Sequence, residues 1–453
     1  MQPKSTYVSS ILDEIGVSKF TWKLFVIAGA TMVFDGYDYM IVAYTLKQIS
    51  AEWGLSAVAT GSLASWSLMG LIIGGIISGM VSDKIGRKKT LIASVLVYSL
   101  FTIPIFFVHN YGAFAVLRVL TGIGLGGCIP VAATLISEFA PTKKRALFIT
   151  MGMGCNIFGY VLAGLVATAV VPTIGWRYCY LIGGIPLLYT ILIYFKLPES
   201  VQWQVNNNRK ADALATLQKI ELLVYGKATE RSVDDLAVPP KPPTVGPKAL
   251  LSKKYRLSTI GLWLVAFGAG ALIYGINAWE PVLLMERGMT LTGSYLLSAL
   301  QNGVAIGAAV LAGFTAEKFG RRRNLIITFG TTIVAIVLLA LVHNNTLLFL
   351  TVIFLGFAMN WASTSINPVM LETYPTQFRN TGMAFSQGFA RLSGFTMPII
   401  AGAILGAGAT FSQLILCFAV PGVVAVLAAT FLIRAETSGK SLDELAEEKE
   451  KTA

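Results

Sequence analysis

The chain has 453 residues, of which 55% are hydrophobic and only 13% charged; that balance excludes an ordinary soluble globule and predicts a protein embedded in a bilayer. Its 35 Lys and Arg against 23 Asp and Glu give a formal charge of +12. The basic residues gather in alternate loops, so the charge points to membrane topology and attraction to anionic lipid rather than to nucleic acid.

Residues 1–21 form a polar segment, and the apolar run beyond it is too long and too charged to be a cleavable signal peptide. Apolar windows long enough to cross a bilayer as helix then recur. They lie at 22–46, 58–80, 90–108, 112–136, 147–171, 177–196, 259–284, 294–315, 324–342, 346–370, 381–406 and 411–433, the last two nearly continuous. The expected architecture is all-α and polytopic: a six-helix bundle at 22–198, a cytoplasmic loop at 199–257, a second six-helix bundle at 258–434 and a tail at 435–453. Of the basic residues, Lys47, Arg177 and Arg287 fall in loops on one side and Arg118 and Arg391 inside spans; all others fall on the opposite side. Basic loops stay inside, so both termini are expected in the cytoplasm.

The first span carries "TMVFDGYDYMIV" at 31–42. Asp35 and Asp38 stand at i and i+3, on one face of a helix. An ionised Asp in mid-span costs about 2.5–3.5 kcal/mol on insertion scales. Close carboxylates repel and desolvation acts in the same direction, so the pair should take up a proton more readily than an isolated Asp. The competing reading makes them buried partners of Arg118 or of Asn and Gln side chains, with no proton movement. Gly36 between them thins the helix for close approach.

Further along, Cys128, Cys155, Cys179 and Cys417 lie scattered without metal spacing and are read as free packing residues; no metal and no cofactor are expected. The central loop holds a helix-like stretch, "NRKADALATLQKIELLVYG", and a Pro-rich linker, "VPPKPP". In the second half Arg391, in "QGFARLSGFTMP", has no acid nearby in sequence. A guanidinium reads a planar carboxylate by a two-point contact, which makes Arg391 the candidate for a substrate anion; the alternative is that it lies near a helix end and snorkels. Tyr39, Asn156, Tyr274, Asn277, Gln301, Asn302, Asn360 and Trp361 add aromatic faces and amides suited to a flat organic anion. Trp279 and Glu280 are expected close to the outer boundary, in an interfacial belt.

The two halves repeat each other. "GMVSDKIGRKK" at 79–89 matches "GFTAEKFGRRR" at 313–323, and "EFAPTKKR" at 138–145 matches "ETYPTQFR" at 372–379, both with an offset of 234. One offset shared by separate motifs means duplication. Asp35 and Asp38 are not duplicated: Ala269 and Leu272 stand at the corresponding positions. Gly79, Asp83, Gly86 and Arg87, with Glu317, Gly320 and Arg321 in the second copy, place an acid beside an arginine at a tight turn; Glu138, Arg145, Glu372 and Arg379 supply further charges. Such contacts can tie helix ends together in one conformation and release them in another, or serve only as topology anchors.

These loops resemble the Gly-x-x-x-Asp-x-x-Gly-Arg-x-Lys/Arg signature of the major facilitator superfamily, and "RVLTGIGLGG" from Arg118 to Gly127, "LPES" at 197–200 and the weaker echo "RAETSG" extend the likeness over nearly the whole chain. The resemblance implies neighbouring first and fourth helices, and with them Arg118 as internal partner of the aspartates. It also implies a site near the bilayer midplane exposed to each side in turn.

Asp-Gly-aromatic-Asp is similar to the signature of the aromatic acid:proton and metabolite:proton symporters. That likeness implies import of benzoate-, hydroxybenzoate- or nicotinate-like anions with protons, Asp35 and Asp38 carrying the coupling. Glu280 departs from the pattern, where an apolar residue is expected after the Trp. A drug or cation:proton exporter, and an uncoupled facilitator or sensor, are the alternatives. Enzyme activity is not expected, since no nucleophile–base spacing is present and His109 and His343 fall at loops. The expected setting is a bacterial inner membrane, as a functional monomer in contact with lipid.

Overall fold

In hydrocarbon every backbone group must be bonded within the protein, so long apolar windows become helices. The computed structural model describes residues 6–238, 246–374 and 378–433. The Pro-rich part of the central loop, residues 375–377 of the duplicated motif, and the C-terminal echo with its tail lie outside them. Among the described residues, twelve helices are long and apolar enough to span a membrane: Lys19–Trp53, Ala57–Ile85, Arg87–Phe107, Tyr111–Phe139, Thr142–Val170, Arg177–Lys196, Arg256–Glu286, Leu291–Phe319, Arg321–Leu341, Asn345–Thr373, Thr381–Gly406 and Phe411–Phe431.

Each apolar window overlies one of these spans. Several helices run well past their windows, because polar turns prolong a helix beyond the hydrocarbon. The first span, at 35 residues, is about 52 Å long at 1.5 Å per residue, against a core of about 30 Å. The near-continuous eleventh and twelfth windows are parted by Thr410, whose side chain accepts from the Gln413 backbone while the Gln413 side chain returns to the Thr410 backbone, a capping box that starts the last span. The seventh span is irregular. Regular helix at Arg256–Gly270 widens into a π turn at Ala271–Ile276 before Asn277–Glu286, which contains Pro281. A prolyl nitrogen cannot return a hydrogen bond to Asn277, four residues back. The eighth span is interrupted just after Gln301–Asn302, at Val304.

The chain forms two compact units. The first comprises Met1–Tyr39, Gly70–Leu162 and Arg177–Lys241. Its apolar core takes in Val8, Ile11 and Leu12 of the short helix Val8–Ile15 together with Leu217 and Ile220 of Lys210–Tyr225, the helix expected in the central loop. A two-residue parallel ladder pairs Thr6 with Leu236 and Tyr7 with Ala237. Beside it Glu221 accepts from the Thr229 backbone at 2.8 Å and from Arg231 at 2.5 Å. Burial pushes that carboxyl up, and these bonds outweigh burial and hold it below the usual carboxylate range.

The second unit comprises Met40–Met69, Ala163–Trp176 and Pro242–Ala453. In it the far parts of the first, second and fifth spans pack on spans of the second half. Tyr295 donates its hydroxyl to the Tyr44 carbonyl and receives the Gln48 amide at 2.9 Å. A Cβ on Gly61 would meet the Pro398 carbonyl oxygen at 2.1 Å, and Trp279 donates to the same oxygen at 2.9 Å. These contacts tie the first and second spans to the seventh, eighth and eleventh within this unit.

Candidate functional site

Within the first unit, Asp38 and Arg118 are wholly buried and form an ion pair, with Arg118 Nη1 2.8 Å from Asp38 Oδ2. Arg118 Nη2 also donates to the Asp38 carbonyl at 3.1 Å, and Thr102 donates its hydroxyl to Asp38 Oδ1 at 3.0 Å. The Tyr180 ring covers the guanidinium at 6.0 Å. The third and fourth spans therefore converge on one carboxylate of the first, and the sixth covers its arginine. Tyr37, next to it, donates to the Cys179 carbonyl at 2.8 Å and ties the first span to the sixth.

Asp35 is reached from the fifth span. Asn156 of the fifth span donates its amide to Asp35 Oδ2 at 3.0 Å and to the Met32 carbonyl at 3.2 Å. Gly36 makes this possible: a Cβ there would lie 2.1 Å from the Asn156 carbonyl oxygen. Facing it, Gly159 would meet the Val33 carbonyl oxygen at 2.2 Å. The two backbones touch, and the short amide reaches the acid.

The geometry gives the two aspartates different neighbours, as the reading with Arg118 and amide partners allowed. Arg118 donates to the carboxylate and the backbone carbonyl of Asp38, and Asn156, placed among the substrate contacts from sequence, donates its amide to Asp35. The reason is angular: i and i+3 differ by about 60° around a helix, enough to direct the two carboxyls to different neighbours.

The remaining candidates are spread over both units. Tyr39 is half-buried against the Tyr160 ring at 5.7 Å. Arg391 is half-buried near the middle of the helix Arg379–Gly406, far from either end, which removes the snorkelling alternative; among the described residues it makes no hydrogen bond or ion pair. Tyr274 lies in the π turn of the seventh span, and Asn277 comes after it, buried, with its amide oxygen accepting no hydrogen bond. Gln301 is fully buried. Asn302 and Asn360 spend their amides on carbonyls of their own helices, at Ser298 and Gly356, and Trp361 donates to Thr315 at 3.0 Å. Trp279 and Glu280, expected close to the outer boundary, are both buried in the protein, at 3% and 6% exposure, and do not face lipid.

The duplicated loops build duplicated ion pairs. Arg87 reaches Glu138 at 3.3 Å and Asp83 at 3.0 Å; 234 residues on, Arg321 holds Glu372 at 2.9 Å. Arg145 and Arg379, adjacent in the motif to those acids, do not take them: Arg379 donates to the Tyr374 carbonyl at 3.2 Å. Sequence reasoning missed Glu199. Its carboxylate accepts from the backbone of Arg87 at 2.8 Å and Lys88 at 3.1 Å, capping the third span. Gly86, at φ 103°, brings the chain against it, where a Cβ would lie 2.2 Å from the carboxylate. The "LPES" motif was the available signal; Thr102, Tyr44 and Tyr295 had none.

The chain thus joins a buried acid–arginine pair on the first and fourth of its described spans to matched ion pairs at duplicated loops, and residues 11–448 match the sugar (and other) transporter family. The chain belongs to that family, within the major facilitator superfamily. As a superfamily member it is a multi-pass membrane protein. The gallate transporter of Pseudomonas putida is 32% identical over 425 residues, 93% of this chain and 94% of that protein. The 4-hydroxybenzoate transporter PcaK of Acinetobacter baylyi is 29% identical over 437 residues, 94% of each chain, and the niacin transporter NiaP of the same organism 28% over 438 residues, 96% of this chain and 99% of that one. The inward open conformation of the xylose transporter XylE from E. coli matches with a TM-score of 0.74 at 20% identity, covering 94% of this chain and 99% of that one. That likeness is one of superfamily fold.

Proposed function

We propose that this protein is a proton-coupled symporter of the bacterial inner membrane that imports a small organic acid anion by alternating access. The substrate is aromatic, of the benzoate, hydroxybenzoate or nicotinate kind. The observation that carries the reading is the buried acidic couple of the first span, Asp38 on Arg118 and Asp35 on Asn156. It lies in a chain whose relatives are named as transporters of gallate, 4-hydroxybenzoate and niacin. Basic loops set both termini on the cytoplasmic side. In that orientation the Tyr44–Tyr295 contact lies toward the outer ends of the first and eighth spans.

The two units divide the work. In the first, a proton arriving on Asp38 cancels its attraction to Arg118 and frees the first span from the fourth. A proton on Asp35 turns an acceptor of the Asn156 amide into a neutral acid. In the second, Arg391 receives the substrate carboxylate, with Tyr274 and Asn277 on the seventh span and Gln301 on the eighth. Anion and protons load together because moving compensated charge through a low-dielectric interior is far cheaper than moving bare charge. The pairs Arg87–Glu138 and Arg321–Glu372 hold the cytoplasmic helix ends in one arrangement and part in the other. The protein works as a monomer in lipid and performs no covalent chemistry.

A thermal-shift screen of the purified protein against aromatic and short aliphatic acids at two pH values tests the assignment. Stabilisation by benzoate-like acids, stronger at the lower pH and lost in Arg391→Ala, is the expected result. Stabilisation by organic cations alone overturns it.

A further inference from the structure

The seventh span carries an acid for which the coupling by Asp35 and Asp38 has no use. Glu280 is 6% exposed and lies in the irregular segment beyond the π turn, beside Pro281. Neither carboxyl oxygen has a hydrogen-bond partner, and no basic side chain pairs with it among the described residues. Ser298 and Gln301 of the eighth span face it without closing a hydrogen bond of ordinary geometry, and Tyr44 faces it from the first span. Its other side borders a small cavity walled by Ile276, Leu339, Val352 and Phe411. Basic side chains at this end of the first and seventh spans have other partners: Lys47 faces Glu286, and Arg287 donates to the Val342 carbonyl and the Ser412 hydroxyl.

A carboxylate withdrawn from water without a counter-charge is far less favourable than the neutral acid, which needs only hydroxyl and amide neighbours. Asp38 escapes this through Arg118; Glu280 has no such partner. We propose that Glu280 is a further proton-carrying group, which takes a proton from water as the first, seventh and eighth spans close around Tyr44 and Tyr295 and returns it when they part. Closure of this end is thereby tied to proton uptake, independently of Asp35 and Asp38. Its part in transport rests on the symport reading; its protonation does not.

Two measurements test it. Infrared difference spectra of the purified protein in light and heavy water should show the carbonyl stretch of a protonated carboxyl group that is absent in Glu280→Gln. In proteoliposomes loaded with a pH-sensitive dye, protons taken up per 4-hydroxybenzoate should fall by about one in Glu280→Gln, measured on whatever uptake remains. A spectrum unchanged by the substitution, or an unchanged ratio, overturns the proposal. If wild-type protein moves 4-hydroxybenzoate without protons, the symport reading fails while the infrared band still decides whether Glu280 is protonated. Should Glu280→Gln not fold, the band is sought in Asp35→Asn/Asp38→Asn, where its survival supports Glu280 and its loss overturns the assignment.

Discussion

Arg118 donates both to the carboxylate and to the backbone carbonyl of Asp38, at 2.8 and 3.1 Å, from a side chain with no solvent exposure. A single guanidinium thus fixes the position of the first span against the fourth and neutralises its acid. Removing one partner leaves the other charged and buried. Asp38→Ala or Arg118→Ala should each destabilise the protein by about 3–5 kcal/mol, read as a large fall in unfolding temperature in detergent. The double substitution Asp38→Asn/Arg118→Gln should recover most of that stability while transport stays lost. Recovery of transport along with stability would reduce the pair to a structural role.

Asp35 Oδ2 accepts the Asn156 amide at 3.0 Å, and the neutral isostere of Asp35 occupies the same volume. Asp35→Asn should alter stability by no more than about 1 kcal/mol. It should abolish accumulation against a gradient while leaving exchange of substrate across the membrane. Counterflow and net uptake, measured side by side in proteoliposomes, separate the two.

The loop pairs repeat at one spacing: Arg87 to Glu138 and Arg321 to Glu372 are both 51 residues apart. Glu372→Arg alone should slow transport, and Arg321→Glu added to it should restore part of the rate. A double-mutant cycle on uptake should give a coupling of about 0.5–3 kcal/mol, typical of residues in contact. Additive losses would make these residues topology anchors only.

Close approach of the first and fifth spans depends on Gly36. Gly36→Ala drives a methyl group into the Asn156 backbone and should cost about 1–3 kcal/mol. Gly154→Ala, on the same fifth span but facing open space, should be tolerated. Equal thermal stability of the two variants would contradict the packing.

Much of the fold was legible because hydrocarbon imposes a plain rule: long apolar windows become helices, and a duplicated motif with one offset becomes a duplicated ion pair, as Arg87–Glu138 and Arg321–Glu372 show. The acids of the first span were legible for the same reason, since nothing apolar about the segment accounts for them. Their partners were less so. Asn156 is one amide among many, and only the touching backbones at Gly36 and Gly159 reveal that it reaches Asp35. Glu199 looked like a motif residue after a span, whereas its chemistry is that of a helix cap on a segment more than a hundred residues earlier. The burial of Glu280 was not legible, because it depends on packing by Tyr44 and the eighth span, which no local pattern encodes.

The most direct test of the symport mechanism is uptake of labelled 4-hydroxybenzoate into proteoliposomes with and without an inward proton gradient, for wild-type protein and for Asp35→Asn/Asp38→Asn. Accumulation by the wild type that a protonophore collapses, and none by the double variant, is the expected result. Equal accumulation after the gradient is dissipated, or after both carboxylates are neutralised, would contradict it.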